Sequence, residues 1–225
     1  MPLLPVRRSS LLLVPLLAVV CAATSGAQQA PAPNDPDKLP DGPQVFTSTV
    51  QKLRVVPIKG LNRPFAMAFL PDGNLLVTER GGRLRIVRNG VLDPQPIAGM
   101  PEVLDLRLKG LQDLALHPRF AENRLIYFTY YKPKRGENDV ATATLARARW
   151  DGGYVLTDVR DLFIADAWCA TPSASRIVFG RDGRIFMTVG VPIRGRPGTA
   201  QPEDSQSPGN HAGKVLRLND DGTAP

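Results

Sequence analysis

The chain carries a recurring unit in which a short apolar run, an Asp-Gly turn and a second apolar run follow one another. Residues 69–78 (Phe-Leu-Pro-Asp-Gly-Asn-Leu-Leu-Val-Thr) align with residues 179–188 (Phe-Gly-Arg-Asp-Gly-Arg-Ile-Phe-Met-Thr). Residues 116–127 fill the same role between them with a longer turn. Short apolar runs joined by Asp-Gly turns are typical of antiparallel hairpins. The repeat therefore predicts an all-β chain and leaves little room for helices.

The spacing of these units indicates the architecture. Asp72 and Asp182 lie 110 residues apart with one unit between them, so each unit takes about 55 residues. Around the first turn we predict strands at Phe65–Phe69, Leu75–Thr78 and Leu84–Val87. Four-stranded units of roughly this length are typical of β-propeller blades. A β-sandwich would space its strands more evenly, and a β-solenoid would repeat at a shorter period.

We therefore predict that residues 45–225 form the N-terminal half of a β-propeller, with about three blades. A propeller buries each blade against the next and needs at least four blades to close. Three blades alone would leave an apolar face and an edge strand uncovered, and both favour association. We expect residues 28–225 to be poorly stable as an isolated monomer.

The first 27 residues have the layout of a secretory signal peptide. Arg7 and Arg8 precede an apolar run at 11–23, and Ser25-Gly26-Ala27 supplies the small residues of a cleavage site. A lipoprotein signal would use Cys21, but Val20 stands where a small residue is preferred. The apolar run is short for a membrane span, which needs about 20 residues. We expect an exported protein, periplasmic or extracellular, without a membrane span.

Residues 28–44 predict a disordered linker, because five prolines stand there among small and polar residues. Removal of residues 1–27 lowers the formal net charge from +7 to +5, and the basic residues are scattered along the chain. Scattered charge favours a solvated surface over a nucleic-acid interface. Cys169 is then the one cysteine left, so no internal disulfide is expected.

Four motifs in a fixed order go beyond a generic blade. They are residues 63–80 (Arg-Pro-Phe-Ala-Met-Ala-Phe-Leu-Pro-Asp-Gly followed by Leu-Val-Thr-Glu-Arg), 110–120 (Gly-Leu-Gln-Asp-Leu-Ala-Leu-His-Pro-Arg-Phe), 175–180 (Ser-Arg-Ile-Val-Phe-Gly) and 213–222 (Gly-Lys-Val-Leu-Arg-Leu with Asp-Gly). In this order they resemble the soluble, pyrroloquinoline quinone (PQQ)-dependent aldose sugar dehydrogenases, the glucose/sorbosone dehydrogenase family. The resemblance covers residues 53–225.

The resemblance implies a six-bladed propeller that binds PQQ and calcium over one end of its axis. It also implies an oxidoreductase that oxidises an aldose at the anomeric carbon, with a histidine as general base and a separate electron acceptor. The motifs show which residues of this chain stand at the family's site positions. Pro172 stands where the family has its base, Val191 where it has an acid after the next strand, and Leu108 where it has a glutamine. Proline cannot take a proton, so three positions of the family's site are apolar here.

Other residues are candidates for contact with the cofactor. Arg194 and Arg196 lie in one loop and His211 in the next, and arginines are suited to cofactor carboxylates. We expect His117, in a His-Pro turn, to be structural. We predict no metal ligand in the chain itself.

Three functions follow, in decreasing order of fit. The first is a sugar dehydrogenase of which this stretch alone is inactive. The second is a non-catalytic extracellular propeller that binds a protein or carbohydrate partner, which the missing base favours. The third is a propeller hydrolase or lactonase, which would need a cluster of carboxylates that the sequence lacks.

Overall fold

The fold is four antiparallel sheets, seen in a computed structural model that describes residues 39–171 and 174–225. The predicted signal peptide, residues 28–38 of the predicted linker, and Pro172 lie outside the described residues. Within the described ranges, no helix has the length and apolar character needed to cross a membrane. The prediction of an all-β chain is confirmed.

A two-stranded hairpin comes first and is followed by sheet 1. The hairpin pairs β1 (Gln44–Thr47) with β2 (Lys52–Val55). Sheet 1 has its strands in chain order, which confirms the predicted meander. They are β3 (Pro64–Phe69), β4 (Leu75–Glu79), β5 (Arg83–Arg88) and β6 (Val91–Leu92).

Sheet 2 has four longer strands in the order β10-β9-β8-β7. They are β7 (Leu111–Leu116), β8 (Leu125–Pro133), β9 (Ala141–Arg149) and β10 (Thr157–Ile164). The longer turn between β7 and β8 contains α1 (Phe120–Asn123), a single helical turn that the apolar pattern did not predict.

Sheet 3 has three strands in the order β11-β12-β13. They are β11 (Ile177–Phe179), β12 (Ile185–Val189) and β13 (Lys214–Leu218), and a 3₁₀ helix (Pro202–Gln206) interrupts the long β12–β13 connection. The three predicted hairpin units thus form one sheet each, and the fold is a partial β-propeller.

The Asp-Gly turns share one geometry. The Asp72 carboxylate accepts the N–H of Asn74 at 3.0 Å, and Gly73 has φ +83°, a conformation that glycine adopts without strain. Asp182 repeats this bond to Arg184 at 3.1 Å. The turns therefore form for a local chemical reason, which is why the sequence predicted them.

The core lies between the sheets in two layers. Sheets 1 and 2 enclose a cluster that includes Leu76, Ile86, Leu111 and Phe128. Sheets 2 and 3 enclose a second cluster that includes Tyr127, Leu145, Ile185 and Met187. Because β7 neighbours both β3 and β11, the three first strands lie side by side and form the inner edge of the stack.

A threonine fastens the first strand of each sheet to the second. Near or just before its start, the first strand turns an N–H toward a threonine hydroxyl; in sheets 1 and 2 this coincides with an irregularity in the strand pairing. The pairs are Ala66 N to Thr78 Oγ1 (3.0 Å), Asp113 N to Thr129 Oγ1 (3.2 Å) and Arg176 N to Thr188 Oγ1 (2.8 Å). Thr78 also donates its hydroxyl to the Gln112 carbonyl of sheet 2 at 2.7 Å.

Thr78→Val is expected to lower the free energy of unfolding by about 1–3 kcal/mol. Valine keeps the shape of the side chain but leaves the buried Ala66 N–H and Gln112 carbonyl without this partner. Chemical denaturation measures the loss. Thr78→Ser retains the hydroxyl and should lose clearly less stability, and equal losses would show that packing, not hydrogen bonding, accounts for the effect.

Candidate functional site

Two sets of connections lie at the same end of the stack: the loops that precede the inner strands β3, β7 and β11, and the turns that follow the second strands β4, β8 and β12. We call this the loop end, formed by residues 105–110, 134–140, 165–171, 174–175 and 190–213. The Asp-Gly turns lie at the opposite end, because each closes the far end of a first strand. All positions carried over from the family resemblance, among the described residues, lie at the loop end.

At the inner edge, Arg176 is held between two sheets. Its guanidinium contacts the Asp113 carboxylate at 3.2 Å and lies over the Phe65 ring, 5.0 Å from the ring centre. The other Asp113 oxygen accepts the Ile177 N–H at 2.8 Å. About 60% of the Arg176 side chain remains exposed, so this cation is fixed in place and still open to solvent.

Glu79, at the end of β4, is a fully buried carboxylate surrounded by donors. One oxygen accepts the backbone N–H of Asn62 at 2.6 Å and lies 3.3 Å from the Arg85 guanidinium, which is also buried. The other oxygen accepts from Arg83 Nε at 2.6 Å. This cluster fixes the segment that enters β3 and so positions Phe65 at the inner edge.

Lys109 is a buried ammonium immediately before β7. It donates to three backbone carbonyls, those of Asp139 (2.6 Å), Cys169 (2.7 Å) and Ala170 (3.0 Å). Burial lowers the pKa of Lys109, because the charged form loses its hydration. The ammonium joins the β8–β9 turn to the segment that leads toward residue 172.

The structure brings two of the three apolar carry-over positions to the loop end. Leu108 is exposed, and its carbonyl accepts from the buried Gln112 side chain at 3.0 Å. Val191 follows β12, next to Gly190, whose carbonyl accepts the Gly213 N–H. Pro172 lies outside the described residues.

Arg194 and Arg196 also lie at the loop end but differ in what they contact. Arg196 forms ion pairs with Glu137 and Asp139 of the β8–β9 turn, the latter at 3.1 Å. These bonds draw it toward sheet 2. Arg194 is exposed, and its carbonyl accepts the Thr171 hydroxyl at 2.9 Å. Arg194 is therefore better placed than Arg196 to meet an incoming anion.

His211 is engaged with the end of β10. Its Nδ1 accepts the Asp166 N–H at 2.8 Å, and its ring packs edge-on against Phe163. Because Nδ1 accepts, the neutral ring carries its proton on Nε2. In this arrangement His211 has no free ring nitrogen with which to act as a base.

His117 lies at the opposite end and is structural, as the His-Pro turn indicates. It is buried, its Nδ1 accepts the Arg119 N–H at 3.0 Å, and its ring packs against Tyr127 and Phe179. Burial lowers the pKa of His117, and nearby Asp220 opposes this only in part. The folded protein therefore resists protonation of this ring.

The wild-type protein is expected to lose stability as the pH falls below about 6.5, the ordinary pKa of histidine. In that range the unfolded chain binds a proton at residue 117 that the folded chain, with its lowered pKa, does not yet bind. Urea midpoints at pH 7.5 and 5.5 measure the slope. His117→Gln should flatten it. An unchanged slope in His117→Gln would assign the effect to other groups.

Sequence reasoning missed the charged residues that position the site: Asp113, Lys109 and Glu79. Each stands inside or next to an apolar strand, and an ionisable residue within a buried strand is the signal that could have marked them.

Two exposed arginines in or beside the loop end suit an anionic ligand. Arg176 and Arg194 offer exposed guanidinium groups for carboxylates. Among the described residues, no group of three or more His, Cys, Asp or Glu side chains could hold a metal ion. The exposed arginines therefore fit a cofactor that carries carboxylates.

Stacked antiparallel sheets of three or four strands define the class as a propeller-type β protein. The Glucose / Sorbosone dehydrogenase family profile matches residues 61–225. The chain belongs to this family.

Two relatives and one solved structure support the assignment. Aldose sugar dehydrogenase YliI of Escherichia coli is 34% identical over 73% of this chain and 43% of its own length. Quinoprotein glucose dehydrogenase B of Acinetobacter calcoaceticus is 29% identical over 75% of this chain and 39% of its own. The apo structure of the soluble E. coli aldose sugar dehydrogenase superposes with a TM-score of 0.65 at 32% identity, over 73% of this chain and 46% of that one. The chain spans less than half the length of these relatives.

Proposed function

We propose that the protein is a PQQ-dependent oxidoreductase that oxidises aldose sugars and passes the electrons to a separate acceptor. The observation that carries the proposal is the family match over residues 61–225. Relatives named as an aldose sugar dehydrogenase and as a quinoprotein glucose dehydrogenase support the sugar and the quinone. The predicted signal peptide supports export to the periplasm or beyond.

The described residues would hold the cofactor. PQQ, when bound, supplies the quinone that accepts the two electrons of the sugar. Arg176 and Arg194 would bind its carboxylates, and Asp113 keeps the Arg176 guanidinium in position. Phe65 covers one side of that guanidinium.

The described residues do not supply the proton acceptor. His211 uses Nδ1 to hold Asp166, His117 lies at the opposite end, and proline occupies the carried-over base position. The part of the reaction assigned to this stretch is therefore binding and orientation, and this stretch alone is inactive.

The test uses the longest product that the gene encodes, titrated with PQQ with and without calcium. We expect a change in cofactor absorbance at saturation, then dye reduction with at least one sugar from a panel of aldoses. If the absorbance does not change, the cofactor proposal is wrong, and the second function, a non-catalytic propeller that binds a partner, is favoured. Binding without dye reduction would retain the cofactor site and contradict the enzyme.

Arg176→Gln should weaken PQQ binding about tenfold to a hundredfold, because one charge-assisted hydrogen bond is worth about 1.5–3 kcal/mol. Fluorescence titration of PQQ measures the dissociation constant. Arg181→Gln removes an exposed arginine at the opposite end and should bind PQQ as the wild type does. Equal weakening in both variants would show that overall charge, and not this site, attracts the cofactor.

A further inference from the structure

A small polar cleft opens at the loop end, where the segment after β10 meets the long β12–β13 connection. It has a volume of about 210 Å³. Lys134 of the β8–β9 turn lines it together with Asp166 and Trp168 of the segment after β10 and residues 198–200, Asp204 and Asn210 of the β12–β13 connection. Loops held at one end of a rigid stack of sheets are a common place for a binding site.

The burial pattern explains why Asp166 and Trp168 both reach the cleft. Ala165, Ala167 and Cys169 are buried in the core between sheets 2 and 3, whereas Asp166 is exposed and Trp168 is half-buried. Side chains two residues apart on an extended chain point to the same side. The carboxylate and the indole therefore face the cleft together, and the segment cannot turn over without burying an unpaired charge.

Hydrogen bonds fix the two sides of the cleft to each other. The Asp166 backbone donates its N–H to His211 Nδ1 at 2.8 Å and accepts the His211 N–H at 3.2 Å. The Trp168 carbonyl accepts the Ala200 N–H at 2.7 Å. Because these bonds join the segment after β10 to the β12–β13 connection, the cleft has its shape before any ligand enters it.

Several polar groups of the cleft remain free. One Asp204 oxygen accepts a backbone N–H at 2.8 Å, and the Asn210 carbonyl oxygen accepts another at 2.7 Å. Within the described residues, the other Asp204 oxygen, the Asn210 NH₂ group, the Asp166 carboxylate and the Trp168 indole N–H have no hydrogen-bond partner. The cleft therefore offers charged acceptors and neutral donors beside an aromatic ring.

This mixture of groups favours one class of ligand. Two carboxylates disfavour an anion, and an apolar ligand would leave the free polar groups without partners. A metal ion would make no use of the indole or amide N–H groups, which can only donate. A neutral sugar ring suits all of them, because each hydroxyl both donates and accepts, and the C–H face of the ring can lie against the indole.

We propose that this cleft binds one ring of a neutral sugar, as a site separate from the proposed cofactor site. Its volume suits a single ring and not a longer chain of rings. Asp166 follows β10, the outermost strand of sheet 2, whereas Arg176 lies at the inner edge, so the two sites occupy different parts of the loop end. The ion pair of Lys134 with Glu137, at 2.8 Å, balances the one cation at the cleft within the described residues.

The test measures the binding of D-glucose to the longest product that the gene encodes, without PQQ, by ligand-observed nuclear magnetic resonance. We expect saturable binding with a dissociation constant on the order of 1 mM, as a ligand with few buried atoms allows. Trp168→Ala and Asp166→Ala should each raise it about tenfold, since the first removes the aromatic face and the second the free carboxylate. Asp166 is exposed, so circular dichroism of Asp166→Ala should show the wild-type fold.

Matched variants and ligands separate this site from others. Trp168→Phe retains an aromatic ring and should recover most of the affinity. Asp151→Ala removes an exposed acid at the opposite end, and Arg176→Gln alters the proposed cofactor site, so both should bind glucose as the wild type does. D-Sorbitol has the hydroxyls but no ring and should bind clearly more weakly than glucose.

The outcomes for the sugar and for PQQ are independent. Glucose binding without PQQ binding would support the cleft and contradict the proposed function. No saturable glucose binding, equal binding of sorbitol, or equal weakening in Arg176→Gln would overturn the proposal for the cleft. Calcium binding that Asp166→Ala abolishes and Trp168→Ala leaves intact, with no glucose binding, would overturn it as well, because the cleft would then be a cation site.

Discussion

Glu79→Gln is expected to lower the free energy of unfolding by about 3–5 kcal/mol, the usual cost of removing one member of a buried ion pair. Glutamine preserves the shape and can still accept the Asn62 N–H. It removes the negative charge next to the Arg85 guanidinium, which is only 6% exposed and cannot move into water. Urea denaturation of the purified variant gives the change directly.

The two arginine partners of Glu79 provide the control. Arg83→Gln removes a partner whose side chain is about half exposed, and the loss should stay below about 1 kcal/mol. The double variant Glu79→Gln/Arg85→Met should recover part of the loss, because no buried charge is left uncompensated. A double variant less stable than Glu79→Gln would mean that the shape of Arg85, not its charge, is what matters.

Lys109→Met is expected to cost about 2–4 kcal/mol. Methionine has a similar length, but three carbonyl oxygens lose their donor, and unpaired buried acceptors cost about 1–3 kcal/mol each. The desolvation of the ammonium, which lowers the pKa of Lys109, offsets part of that cost. Lys109→Arg is the matched variant: it retains the charge, and a loss as large as that of methionine would show that only a compact ammonium fits.

The lowered pKa of Lys109 also predicts how the difference in the free energy of unfolding between the wild type and Lys109→Met changes with pH. Because the pKa is lowered in the folded state, the unfolded chain binds more protons between that lowered value and about 10.5. The wild type should therefore gain stability relative to the variant as the pH rises through this window. A difference that is flat from pH 8 to 10.5 would contradict the lowered pKa.

The strands around the Asp-Gly turns could be predicted from sequence because their determinants are local. Asp72 and Asp182 each fold back onto a backbone N–H two residues later, and a glycine follows at positive φ. Alternating apolar residues then set which face is buried. The helical turn α1 was missed because Phe120 and Asn123 form it only within a longer connection.

The positioning residues could not be predicted, because their partners are distant in the chain. Lys109 reaches Cys169 and Ala170 across 60 and 61 residues, and Asp113 reaches Ile177 across 64. Motif order placed Leu108, Val191 and Arg194 outside the predicted strands, but it did not show that they lie at one end of the stack. The sequence could not predict which arginine remains unpaired by an acid, because ion pairs such as that of Arg196 with Asp139 form only when the sheets pack together.

The recurring threonine has an evolutionary consequence. Since Thr78, Thr129 and Thr188 each fasten a first strand within their own sheet, every repeat carries its own means of closure. A duplicated repeat would carry this bond with it, whereas bonds between sheets, such as that of Thr78 with the Gln112 carbonyl, depend on which repeat lies next to it.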